Sequence, residues 1–197
     1  MLNDALAFAG ASISWLELFA FICALAGVAL TALENPWGWP VSAIASLLYG
    51  WLFVEHRLYG DGLLQLYFIA VSLWGWRLWR TSNATHATPL RIHRLSVRDS
   101  AILAGALGAG WLMLGALLAR FTDTDVPWFD AAPTVGSIAA QALVARKALQ
   151  GWHLWIVVNA IAIALFSWKA LWLTALLYAL LLALAWVALR RWRRLCP

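Results

Sequence analysis

Seven apolar runs follow one another along the chain, at 15–33, 39–54, 62–79, 100–119, 128–145, 152–168 and 170–189. Short polar or turn-forming clusters separate most of them: 34–36, 55–57, 81–99, 122–127 and 146–151. About 20 helical residues, rising ~1.5 Å each, cross a hydrocarbon core about 30 Å thick. The runs approach that length and are apolar nearly all round, as helices facing lipid are. A porin-like barrel would alternate apolar and polar residues strictly over about ten positions, and these runs do not. The pattern predicts an all-α polytopic membrane protein with seven transmembrane helices.

Composition agrees. Of 197 residues 64% are hydrophobic and only 12% charged, and the mean hydropathy is +0.78. A soluble domain carries roughly a quarter charged residues. The net charge of +5 would suit a nucleic-acid partner, but its distribution points to a membrane. With seven spans, Arg77, Arg80, Arg91, Arg94, Arg98, Arg146, Lys147, Arg190, Arg191, Arg193 and Arg194 fall on one side, and Arg57, Arg120 and Lys169 on the other, 11 against 3. By the positive-inside rule the N-terminus is outside and the C-terminus cytoplasmic, in a multi-pass protein of the inner (plasma) membrane. Asp123, Asp125 and Asp130 then fall outside. The basic residues are topology signals and headgroup contacts, and no nucleic-acid partner is expected. Trp37, Trp79, Trp128, Trp168 and Trp192, among 15 tryptophans, lie at span ends, where interfacial belts form. Met1 to Gly10 has no positively charged start, so no cleavable signal peptide is expected.

An internal repeat sets the architecture. Gly38-Trp39 recurs as Gly151-Trp152, an offset of 151 − 38 = 113 residues. At the same offset Phe53 falls on Phe166, Leu58 on Leu171, and 77–80 (Arg-Leu-Trp-Arg) on 190–193 (Arg-Arg-Trp-Arg). Trp, Phe and Arg matches carry more weight than Leu matches in so apolar a chain. Each copy holds three spans, and the fourth span has no counterpart. An odd number of spans would invert the second copy, and the extra span restores its orientation. The expectation is a single membrane domain over 1–197, built as 3+1+3 with parallel triple-helix repeats of the SWEET-like kind. The first repeat covers 15–80, a cytosolic linker 81–99, the connecting helix 100–119 and the second repeat 128–193.

Candidate chemistry lies in the sixth span. Trp152, Trp155 and Asn159 stand at i, i+3 and i+7, within about 60° of one another on a helix. Two indoles and an amide on one face can stack a planar ring and hydrogen-bond its polar edge. The alternative is a tryptophan core with Asn159 bonded to a neighbouring helix. The matching residues of the second span are Trp39, Ser42 and Ser46. Gln65 and Tyr67 in the third span, Gln141 in the fifth and Tyr178 in the seventh are also polar within apolar runs. Asp61 reads as a helix cap, and Glu34 and Arg57 as solvated span ends. Neutral polar residues in a bundle suit a neutral or weakly charged ligand. Cys23 and Cys196, and His56, His86, His93 and His153, show no metal-site spacing, and there is no Walker A motif or nucleophile elbow. Neither a cofactor nor a catalytic residue is expected. A membrane enzyme would need acid–base or metal residues grouped together, and the only acidic cluster, Asp123, Asp125 and Asp130, has no His or Cys beside it. A non-transporting scaffold would explain the tryptophans without a cavity.

At these positions the chain resembles the Pnu family of vitamin transporters. In the first half the resemblance rests on Glu17, on 35–40 (Asn-Pro-Trp-Gly-Trp-Pro), on 58–61 (Leu-Tyr-Gly-Asp), on 64–67 (Leu-Gln-Leu-Tyr), and on Gly75, Trp76 and Trp79. In the second it rests on Arg146-Lys147, on 152–155 (Trp-His-Leu-Trp) with Asn159, and on 171–178 (Leu-Trp-Leu-Thr-Ala-Leu-Leu-Tyr). It covers about 15–192. The chain has Gln150 just before the second Gly-Trp, where the family often has acidic or amide residues. The resemblance implies a 3+1+3 bundle, a homotrimer with one path per protomer, and facilitated diffusion with trapping by a separate cytosolic kinase. It puts the substrate site on Gln65, Trp152, Trp155 and Asn159, with Tyr67 and Tyr178 as further candidates. The best-known members carry nicotinamide riboside, which makes the expected activity vitamin uptake feeding NAD biosynthesis. Relatives of the same pattern take thiamine, riboflavin or deoxynucleosides.

Overall fold

The computed structural model describes residues 6–8, 11–55, 59–84, 90–168 and 172–196. The chain divides into two compact units, Met1–Ala84 and Thr85–Pro197. The first holds an antiparallel hairpin, β1 (Leu6–Phe8) and β2 (Ala11–Ile13), with Leu6 opposite Ile13. Its helices are α1 (Trp15–Ala32), α2 (Gly38–Glu55) and α3 (Tyr59–Ala84). The second unit holds α4 (Val97–Phe121), α5 (Pro127–Ala145), α6 (Gln150–Trp168) and α7 (Trp172–Leu195). His56, Arg57, Leu58, His86, Lys169 and Leu171, all used in the sequence reading, lie outside the described residues.

In the first unit α2 is the middle helix, packed against α1 on one side and α3 on the other. In the second, α4 packs on α5, α5 on α6, and α6 on α7. The helices outrun the apolar stretches. α3 continues to Ala84, and α4 begins at Val97, where the Ser96 hydroxyl accepts from the Asp99 N–H at 3.1 Å. Hydropathy registers only the part of a helix matched to hydrocarbon. The hydrogen-bond ladder continues through polar residues until a cap ends it. Among the described residues, four helices contain stretches long and apolar enough to cross a membrane: Trp15–Ala32, Val97–Phe121, Gln150–Trp168 and Thr174–Leu195.

Glu17, whose role the sequence leaves open, caps α1. The Ser14 hydroxyl accepts from the Glu17 N–H at 3.1 Å, and the Ser14 N–H donates to Glu17 Oε2 at 3.4 Å, forming a capping box. The C-terminus of α1 turns on Glu34, which takes a left-handed φ of 59°. The Glu34 N–H donates to Thr31 O at 3.0 Å and the Asn35 N–H to Leu30 O at 2.9 Å, a Schellman motif. α5 ends the same way: Lys147 has φ 57°, its N–H donates to Val144 O at 2.9 Å, and the Ala148 N–H donates to Leu143 O at 2.9 Å. Each of these residues follows its counterpart by 113, as 147 − 34 and 143 − 30 show. Lys147 is buried at this turn, not solvated as a simple topology signal would be.

The Gly-Trp pairs open α2 and α6 by one device. Trp39 meets Trp79 edge to face, with ring centroids 5.4 Å apart at 86°, and Trp152 meets Trp192 at 5.4 Å and 89°. Trp79 is 1% exposed and Trp192 fully buried. This corrects their assignment to an interfacial belt: each fills the seam between the second and third helix of its group. Trp37, Trp128 and Trp168 are exposed, as belt residues are.

The glycine before each tryptophan is needed for the approach of the preceding helix. A Cβ on Gly38 would lie 2.7 Å from Thr31 N and 2.9 Å from Gly27 O. On Gly151 it would lie 2.8 Å from Val144 N and 3.0 Å from Ala140 O. These are backbone atoms, which cannot swing aside. Gly151→Ala is expected to destabilise the protein by about 1–3 kcal/mol or more, as overpacking does. A lower melting temperature and loss of the monodisperse peak in size-exclusion chromatography would report this, and an unchanged profile would contradict it.

Candidate functional site

Beside Asn159, α6 packs closely on small residues of α5. Gly136, Ser137 and Ala140 on α5 are buried, and a Cβ on Gly136 would lie only 2.6 Å from Val158 Cγ2 on α6. Small residues let helices approach closely where no water can fill the gap. Asn159 is 2% exposed and Trp152 likewise 2%. Asn159 Oδ1 and Trp152 Nε1 are buried and have no hydrogen-bond partner among the described residues. Trp155, on the same side of α6, is half-buried.

Leaving a buried polar atom unpaired costs about 1–3 kcal/mol, and more where the surroundings are hydrocarbon. One unpaired acceptor and one unpaired donor thus lie on a single helix face. Native structures carry few such atoms, and each calls for an explanation.

The remaining sequence candidates divide between the units. Tyr178, on α7, is half-buried and stacks on Phe166 of α6 with centroids 5.3 Å apart and planes 10° from parallel. It belongs to the same α6–α7 pair as Trp152 and Asn159. Gln65 and Tyr67 are half-buried on α3 of the first unit. The stem of Gln65 covers Gly50 of α2, where an added Cβ would lie 3.4 Å from Gln65 Cβ. Tyr67 lies 5.8 Å from Phe68, ring to ring.

Two further atoms of this kind lie in the first unit. Trp39 Nε1 and Ser72 Oγ are buried without a hydrogen-bond partner among the described residues. Ser46, at the position matching Asn159 (159 − 46 = 113), is buried. The sequence reading included Trp39 and Ser46 as counterparts and missed Ser72. A lone Ser in an apolar run ordinarily bonds back to its own helix, so nothing in the sequence distinguishes it. Among the described residues no group of three or more His, Cys, Asp or Glu could hold a metal ion.

Residues 14–194 match the sequence profile of the nicotinamide mononucleotide transporters. The nicotinamide riboside transporter PnuC of Escherichia coli is 25% identical over 207 residues, covering 93% of this chain and 87% of that protein. The riboflavin/roseoflavin transporter RibM of Streptomyces davaonensis is 30% identical over 158 residues, covering 78% of this chain and 72% of that one. A crystal structure of the vitamin B3 transporter PnuC superposes with a TM-score of 0.74 at 24% identity, over 92% of this chain and 81% of that chain.

Proposed function

The chain belongs to the nicotinamide mononucleotide transporter family, and from that premise we propose that it carries nicotinamide riboside into the cell by facilitated diffusion. As a member of that family it is a multi-pass membrane transporter. The observation that carries the substrate reading is the pair of unpaired buried atoms, Trp152 Nε1 and Asn159 Oδ1, beside the half-buried ring of Trp155. A riboside with an aromatic carboxamide supplies what such a face lacks: a planar ring to stack, an N–H to donate and a carbonyl to accept. Trp155 stacks the nicotinamide ring, while Asn159 and Trp152 bond its polar edge. Gln65, Tyr67 and Tyr178 are the further polar positions to which we assign substrate contacts. All seven helices cross the membrane as 3+1+3 with SWEET-like parallel repeats, and the protein assembles as a homotrimer. A cytosolic kinase traps the vitamin after entry.

Proteoliposomes holding only this protein test the reading. Labelled nicotinamide riboside should enter, and excess unlabelled riboside, but neither thiamine nor riboflavin, should compete. The relationship to RibM at 30% identity makes riboflavin the rival substrate. Uptake of riboflavin but not of the riboside would keep the transporter and overturn the substrate. No uptake of either, in a correctly folded preparation, would favour a scaffold.

The orientation follows from the arginines. Reporter tags after Pro197 and within 85–89 should both read cytoplasmic, and a tag at Asp125 should read external. The N-terminus is then outside. A linker on the same side as Asp125 would sink the seven-span topology.

A further inference from the structure

We propose that Arg94, His153 and Arg193 form a pocket for a phosphate group, separate from the vitamin-binding face of α6. Three pieces of the second unit meet there. Segment 90–96 runs beside the α5–α6 turn, held by the His93 N–H donating to Lys147 O at 3.2 Å and the Leu149 N–H donating to His93 O at 2.9 Å. The Leu95 N–H donates to Gln150 Oε1 at 3.1 Å, fixing the segment to the first residue of α6. The pocket between these elements and the end of α7 holds about 360 Å³ and is lined by Arg94, Leu149, Gln150, His153 and Arg193.

The donors are arranged in advance. Arg193 Nη2 lies 2.8 Å from His153 Nε2. A guanidinium only donates, so Nε2 is the acceptor. Nδ1 therefore carries the ring hydrogen, and it lies 3.3 Å from Leu149 O. The histidine thus holds one edge of the Arg193 fork and leaves other donors free to turn to a ligand. Gln150 commits its oxygen to Leu95, which leaves its amide hydrogens. The start of α6 adds the partial positive charge of a helix N-terminus. No carboxylate lines the pocket, and neither arginine has a carboxylate partner among the described residues. Two guanidiniums and a helix N-terminus gathered without a counter-charge suit a phosphate, which arginine binds through paired N–H donors.

The repeat shows that this pocket is an addition and not a by-product of the fold. In the first unit the positions matching Gln150, His153 and Arg193 (each less 113) are Trp37, Pro40 and Arg80. There Arg80 lies over the Trp76 ring, 5.1 Å from its centroid. The first copy thus lays its exposed arginine over an aromatic ring, whereas the second directs it to a histidine at a pocket. The volume, at the small end of ligand pockets, admits a phosphate with a sugar or glycerol attached. The source is a soluble sugar phosphate or the headgroup of an anionic lipid.

Both sources can be tried on the full chain in phosphatidylcholine nanodiscs. Ribose 5-phosphate is titrated against its thermal stability, and in a parallel arm phosphatidylglycerol replaces part of the lipid. Saturable stabilisation by ribose 5-phosphate assigns a soluble phosphomonoester, and stabilisation by phosphatidylglycerol alone assigns a lipid headgroup. In either case Arg193→Gln and Arg94→Gln should each weaken the effect at least tenfold, and Arg191→Gln, outside the pocket, should not. Arg94 lies outside the helices, so its variant keeps the test open if Arg193→Gln folds poorly. Trp155→Ala should leave this binding intact, which separates the pocket from the vitamin site. Stabilisation by neither probe, or equal stabilisation of parent and both pocket variants, would overturn the proposal.

Discussion

Trp155→Ala is expected to lower the affinity for nicotinamide riboside by about five- to a hundredfold while leaving the fold intact. Losing one base–aromatic stacking contact costs roughly 1–3 kcal/mol, and 1.4 kcal/mol is a factor of ten. Trp155 is the right residue for this test because it is half-buried. Trp152 is less clean: it is 2% exposed and edge to face with Trp192. Its removal would open a core cavity worth about 3–5 kcal/mol of stability, and binding and folding would fail together. Asn159→Leu should cost a further hydrogen bond, about 0.5–1.5 kcal/mol. The same change removes an unpaired buried oxygen, so the variant should be no less stable than the parent in the absence of ligand. Trp168→Ala, an exposed interfacial change, should leave affinity nearly unchanged. Isothermal titration of the four proteins decides the matter, and equal affinity in Trp155→Ala and parent would remove this face of α6 from the site.

The helices were legible because an apolar run of about 20 residues has few other uses. Their ends were not: α3 runs on to Ala84 through Arg77 and Arg80, which hydropathy counts against a span. The 113-residue spacing was legible from Trp, Phe and Arg alone. The matching turns at that spacing were hidden, because Glu34 and Lys147 occupy a left-handed position where glycine would have announced it. Trp79 and Trp192 were misread as belt residues because sequence gives height along a helix and not the neighbour. A tryptophan at a span end can meet a headgroup or another indole, and here each meets the Trp of the Gly-Trp pair. Asn159 stood out because an amide in an apolar run must be explained. The hairpin Leu6–Phe8 with Ala11–Ile13 was invisible because strands of three residues carry too little alternation to register.

Transport should run downhill only, in either direction. The proposed site, Gln65, Tyr67, Trp152, Trp155, Asn159 and Tyr178, has no side chain charged at neutral pH, so it offers no carboxylate to carry a proton or hold a sodium ion. The chain has no Walker A motif to couple ATP. With the membrane potential held at zero, nicotinamide riboside, a pyridinium cation, should therefore equilibrate across proteoliposomes to an inside-to-outside ratio of about one, whatever proton or sodium gradient is imposed. Tight one-to-one coupling to a tenfold sodium gradient, worth about 1.4 kcal/mol, would instead allow about tenfold accumulation. With a riboside kinase and ATP sealed inside, label should accumulate well beyond the external level. Phosphorylation adds about −1.5 to −2 charges, and a site of neutral side chains cannot compensate them during passage through hydrocarbon. Accumulation without the kinase, abolished by dissipating the gradient, would show a coupled transporter and would require a charged group in the path that the present site does not contain.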